Sequence, residues 1–135
     1  VPEATSARSH SMTQSSVLLN LFYEKGLRYD CNHFIPFQAN IKLRPYRLWN
    51  NLIKVPYSWE DDIACIKREN CLELIRNKAE GLNVFDFHPI HIFLNTHSLS
   101  LYESTKDIHK LPDKLFGVRW KKEGTQSWLE NLLAE

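Results

Sequence analysis

The stretch SSVLLNLFYEKGLRYDCN, residues 15–32, decides how the chain is to be read. Val17, Leu18, Leu21 and Phe22 recur at three- and four-residue spacing. Serines precede them as caps and Gly26 follows as a stop, so the spacing predicts a helix from Ser15 to Gly26. Directly after it, LRYDCN alternates apolar and polar side chains, the period of a short strand. A helix followed at once by a strand is the α/β pattern.

The same order returns downstream. WEDDIACIKRENCLELIRNKAEG, residues 59–81, has helical periodicity, clearest from Arg68 to Lys78, and Gly81 supplies a stop. LNVFDF, residues 82–87, follows as a strand whose near-continuous apolar character predicts burial on both faces, as in a parallel sheet. Between the two units, residues 33–57 carry prolines at 36, 45 and 56. Each removes a backbone donor, which predicts an irregular excursion with one short strand near NLIKV, residues 51–55. Two more helical patterns end the chain: SLSLYESTKDIHKL, residues 98–111, and GTQSWLENLLAE, residues 124–135. The second puts Trp128, Leu129, Leu132 and Leu133 on one face. There is no internal repeat.

Bulk properties narrow the function. At 135 residues, 43% of them hydrophobic and 24% charged, the chain reads as one globular domain. A net charge of +1 leaves no basic footprint of the kind that gathers nucleic acid or anionic lipid, so neither is an expected partner. Cys31, Cys65 and Cys71 are odd in number and lack CxxC spacing, which argues for a reducing, cytoplasmic setting over a disulfide scaffold or zinc knuckle. No window reaches the roughly 18 uncharged apolar residues of a spanning helix, and no signal pattern opens the chain. It begins VPEATSARSH, without a methionine or the start of an element, and reads as a piece of something longer.

Three clusters could carry chemistry. In VFDFHPIHIFLN, residues 84–95, His88 follows an apolar strand, where parallel α/β sheets place their catalytic groups. Pro89 fixes the next φ and is expected to bar a smooth run into a helix. His88 and His91 are read equally well as surface groups at a strand exit. SWEDD, residues 58–62, gathers three carboxylates that can orient a histidine or hold a cation, or simply furnish the first turn of a helix capped by Ser58. In ARSH, residues 7–10, the Arg8 guanidinium could clamp a carboxylate with His10 beside it, or be solvated.

In order along the chain, these clusters resemble the C-terminal half of a polysaccharide deacetylase of the NodB-homology group, carbohydrate esterase family four, and within it the WbmS-like branch. ARSHSMTQSSVLLNLFYEKGLRYDCN resembles the family's arginine motif, helix and following strand. KVPYSWEDD resembles its proline-then-acidic loop, and LNVFDFHPIHIFLNT its late strand ending in the catalytic histidine. The resemblance implies an α/β fold that is part of a distorted (β/α) barrel, with the N-terminal strands absent from this chain. It also implies a divalent metal, zinc being the expected ion, held in the complete domain by one aspartate and two histidines. Metal-bound water would attack an N-acetyl carbonyl. His88 would protonate the leaving amine, oriented by Asp61 or Asp62, and Arg8 would hold the base. Trp59, His91 and His10 would meet the sugar.

The departures are as informative. The family's T-F-D-D strand and H-x-x-x-H motif, which supply the base and the metal ligands, are not found here, and Gln14 stands four residues after His10. SHS replaces the proline expected near the motif arginine, and Trp59 precedes the acidic pair instead of following it. The chain is therefore expected to bind no metal of its own and to be inactive alone, half of an enzyme that acts on N-acetylated sugars in surface polysaccharide or lipopolysaccharide assembly. Unpaired strand edges would be covered by a missing N-terminal half or by a second copy. The alternatives are a catalytically silent carbohydrate-binding module, or a separate metal site built from His10, His88 and His91 with Asp61 or Asp62.

Overall fold

The computed structural model of the chain describes residues 3–67 and 80–134, in two compact units. Described residues 3–59 and 80–85 form the first unit, and 60–67 and 86–134 the second. Both α and β elements are present, as the helix-then-strand pattern predicts.

In the first unit, β1 (Ser6–Ala7), β2 (Tyr29–Asp30), β3 (Tyr46–Arg47) and β4 (Ile53–Lys54) form a sheet of order β1-β2-β4-β3. β1, β2 and β4 run parallel, and β3 is antiparallel to β4. Helix α1 (Ser16–Glu24) makes the crossover from β1 to β2. Ser15 caps it, its hydroxyl accepting the Leu18 N–H at 3.1 Å, and Gly26 turns the chain out at φ +81°. The buried face differs from the expected one. Leu19 is buried and Leu18 and Phe22 half-buried, whereas Val17 is 77% and Leu21 43% exposed. VLLNLF offers two overlapping apolar stripes, and spacing alone does not choose between them.

The expected strand near residues 51–55 is β4. β3, which the three prolines hid, pairs back onto it as a short antiparallel strand. The loop around it lines a cavity of about 260 Å³ with Ile35, Phe37, Ile41 and Leu82, beside the Lys42–Glu80 ion pair.

A polar knot sits where the parallel strands end. Asp30 is fully buried, and its Oδ1 accepts the Asn32 backbone N–H at 3.0 Å and the Asn32 side-chain amide at 2.7 Å. Its Oδ2 receives Lys54 Nζ, which also donates to Gln14 Oε1 at 2.6 Å. Asn32 Oδ1 accepts the Ser9 N–H at 2.6 Å. The exit of β1, the end of β2 and the end of β4 are thus joined through one carboxylate, because a buried charge needs an opposite charge and hydrogen bonds on every lone pair.

β5 (Trp59–Glu60) and β6 (Phe85–Asp86) form a second, two-stranded sheet; Trp59 and Phe85 belong to the first unit, Glu60 and Asp86 to the second. β6 is half-buried, not buried on both faces as its apolar run predicted. The second unit is helical: α2 (Asp61–Lys67), α3 (Pro89–Leu94), α4 (Leu99–Thr105), α5 (Pro112–Gly117) and α6 (Thr125–Leu133). The helical pattern expected over Arg68–Lys78 lies outside the described residues, as does Cys71.

Helix α3 corrects the reading of Pro89. Proline occupies its first turn, where no intrahelical donor is needed and a fixed φ suits the helix, so His88 becomes the residue before a helix instead of a barrier to one. Asn95 closes α3 in the left-handed region at φ 52°. Its amide donates to the carbonyls of Trp120 and Lys122 at 3.2 and 2.7 Å, and its Oδ1 accepts the Gln126 N–H at 3.0 Å. The approach is tight enough that a Cβ on Gly124 would lie 2.2 Å from the Asn95 carbonyl oxygen. Leu94, Leu115 and Trp128 are buried in this unit, while Leu133 of the predicted α6 face is 76% exposed. No helix among the described residues is long and apolar enough to cross a membrane.

Removing one partner of the Asp30–Lys54 pair strands a buried charge. Lys54→Met is expected to destabilise by about 3–5 kcal/mol in urea denaturation, and adding Asp30→Asn should recover part of that loss.

A candidate acid–base site at His88

The site is assembled from three pieces of the second unit: the start of α2, the end of β6 and the start of α3. Asp61, the first residue of α2, is fully buried. One carboxylate oxygen, Oδ2, accepts the His88 backbone N–H at 2.8 Å, and the other, Oδ1, lies 2.7 Å from His88 Nδ1. The two bonds fix the residue at both main chain and ring, so the imidazole cannot turn without leaving a buried carboxylate unsatisfied. Asp61 therefore assigns the proton to Nδ1 and directs Nε2 to the other side.

Nε2 faces a further carboxylate, with Glu60 Oε1 at 3.9 Å. Glu60, Asp86 and His88 bring one ligand atom each within 4.8 Å of one another. This environment pushes the His88 pKa up to about 8. The Asp61 hydrogen bond is the largest cause, burial opposes it, and the charges of Asp61, Asp86 and Asp62 add to it. His91 moves the other way. It is 4% exposed, and burial lowers its pKa against the pull of Asp61 and Asp62, with His88 and His109 also lowering it.

Of the residues singled out from sequence, the structure brings together Asp61, His88 and His91. Asp62 points elsewhere, its Oδ1 accepting the Ile63 N–H at 2.5 Å. Arg8, His10 and Trp59 belong to the first unit. Arg8 stands 5.3 Å over the Tyr57 ring, and His10 opens an exposed 3₁₀ turn. Trp59, expected as a sugar-facing wall, is 3% exposed and packs edge-on to Phe85. His91, also expected at the sugar, is turned inward. Sequence reading passed over Thr96, whose hydroxyl lies 3.1 Å from His91 Nδ1; a threonine five residues beyond a histidine carries no signal before the turn is known.

Donor atoms of Asp61, His88 and His91 also gather within 4.8 Å, and His10 belongs to neither donor set among the described residues. Both sets include His88, whose Nδ1 already shares a proton with Asp61 at 2.7 Å; a cation at Nδ1 would displace that hydrogen bond, whereas one at Nε2 would leave it in place. Neither described thiol is an available thiolate: burial pushes Cys65 up to about 12 and Cys31 up as well.

The comparisons agree on one kind of protein. The model of the WbmS-like polysaccharide deacetylase family matches residues 1–106. A crystal structure from Bordetella bronchiseptica, assigned as a polysaccharide deacetylase involved in O-antigen biosynthesis (WbmS), is 41% identical with a TM-score of 0.83. That similarity covers 98% of this chain and 56% of the other, so the chain spans little more than half of its relative's length. No curated protein matches the chain.

The two histidines give stability a limb on each side of neutrality. His88 binds its proton more tightly folded than unfolded, so its contribution is complete below about 6.5 and is lost as pH rises through about 8. His91, depressed by burial, contributes above its ordinary value and loses that contribution as pH falls. Urea midpoints measured from pH 5 to 9.5 should show both limbs. Asp61→Asn should flatten the alkaline one, and His91→Phe the acid one.

Proposed function

The chain belongs to the WbmS-like polysaccharide deacetylases, and on that premise we propose that it is the acid-bearing C-terminal part of an enzyme that hydrolyses N-acetyl groups on a sugar of a surface polysaccharide. The observation that carries the reading is Asp61 bonded to both the backbone N–H and Nδ1 of His88. A general acid must hold its proton at working pH and give it up in one direction. A pKa near 8 meets the first need, and an Nδ1 tied to a buried carboxylate meets the second, leaving Nε2 as the donor.

In this reading, the Nε2 proton passes to the departing nitrogen as the carbon–nitrogen bond breaks. His88 is left neutral and the amine leaves uncharged by that step, with no need to expel an amide anion. Asp61 keeps the ring aligned throughout, and the charges of Asp61, Asp86 and Asp62 stabilise its charged form. The divalent metal of the family supplies an activated water when bound. The residues that would hold it are the aspartate and two histidines of motifs that this chain does not contain, and the barrel of the family would be completed by those same segments. This chain alone is accordingly proposed to release no acetate.

The test is steady-state kinetics on a protein that carries the complete deacetylase domain. His88→Gln should lower kcat by about 100-fold or more, the scale of a lost general acid. Asp61→Asn should move the alkaline limb of kcat/KM to lower pH, since the main cause of the raised His88 pKa is gone. Wild-type rates in His88→Gln would refute the assignment.

A further inference from the structure

The established features of this site leave one buried imidazole without a task. His91 lies one helical turn beyond His88 on α3, and its burial is unusual for a group that carries two polar nitrogens. Its ring stands edge-to-face with that of His88, centroids 5.7 Å apart and planes at 88°. On another side it meets Tyr102 of α4 at 4.9 Å, and Tyr102 in turn meets His109 at 5.0 Å. Its Nδ1 is within 3.1 Å of the Thr96 hydroxyl.

Thr96 is itself held. It has no exposed surface, its N–H donates to the His91 carbonyl at 3.0 Å, and its carbonyl accepts both the backbone N–H and the hydroxyl of Thr125, at 2.9 and 2.8 Å. Thr125 is the first residue of α6, beyond the 1–106 stretch that the family model matches. A continuous run of contacts therefore reaches from α6 through Thr96 and His91 to the His88 ring.

We propose that His91 is a positioning residue for His88: gripped by the Thr96 hydroxyl, its imidazole braces the His88 ring and fixes the direction of Nε2. Asp61 anchors His88 at Nδ1 and the main chain but bears on only one edge of the ring. The two Asp61 bonds hold Nδ1 and the main chain, and the perpendicular His91 ring adds a packing contact that holds the His88 ring against tilting. The brace must also be uncharged, since a second imidazolium at this distance would repel the first. Among the described residues, Thr96 and Tyr102 touch it, and burial outweighs the acidic side chains of Asp61 and Asp62, with His88 and His109 on the same side of the balance as burial. The segment beyond residue 106 thereby acquires a role in setting the acid.

This inference rests on His88 being the acid of the proposed reaction, and the experiment separates the two. Thr96→Val removes only the hydroxyl, and His91→Phe keeps a planar ring without nitrogens. In the complete deacetylase domain, each is expected to lower kcat between about tenfold and 100-fold with KM unchanged, as a misdirected donor does. By NMR on this chain without substrate, each should lower the His88 titration midpoint by about half a unit or more, because the Asp61 bond is less well aligned. If Thr96→Val folds to the same extent yet leaves both kcat and that midpoint at wild-type values, the inference is overturned. If the midpoint moves but His88→Gln itself retains activity, the brace stands and the reading of His88 as acid fails.

Discussion

Asp61 has no surface in contact with water, so both of its oxygens must find partners within the protein, and both find them on His88. That single constraint organises the second unit. It joins the start of α2 to the β6–α3 corner across 27 positions of sequence, makes Pro89 the opening of a helix, and decides which nitrogen of His88 carries the shared proton. A carboxylate left half-exposed could exchange one of those bonds for water. Buried, it cannot do so without a cost of several kcal/mol for an uncompensated charge.

The first unit repeats the device with different chemistry. Asp30 is equally buried and equally saturated, but its partners are Lys54 and the two nitrogens of Asn32, and it ties parallel strands at their ends. A lysine holds its charge throughout the physiological range, whereas an imidazole does not. One buried aspartate therefore serves as a permanent clamp, and the other as a partner whose strength depends on a proton. The difference explains why acid–base behaviour is assigned to the Asp61 pair and architecture to the Asp30 pair.

Much of this was legible in the sequence where local chemistry is decisive. Ser15 and Gly26 bound α1 as capping and left-handed residues do, and within LRYDCN the two residues Tyr29–Asp30 form the strand that its alternation predicts. The carboxylate partner of His88 was narrowed to Asp61 or Asp62 but not chosen, because adjacent helical residues point about 100° apart and only the docking of α2 says which turns inward. The face of α1 differs from its spacing for the same reason: Val17 and Leu19 have similar side chains, and only packing decides that Leu19 is covered. Pro89 has the residue type of a helix breaker and the position of a helix opener, and position decides. The side-chain types of Trp59 and His91 suit a sugar, and their burial turns on contacts with Phe85, Thr96 and Tyr102 that no spacing announces.

Whether Asp61 keeps His88 charged at neutral pH is read from the His88 ring titration followed by proton–nitrogen NMR, in the wild-type chain and in Asp61→Asn. A midpoint near 8 is expected, with the proton at Nδ1 retained longest, and a fall toward the ordinary histidine value of about 6.5 once the carboxylate is replaced. A wild-type midpoint at or below 6.5, or one that Asp61→Asn leaves in place, would contradict it.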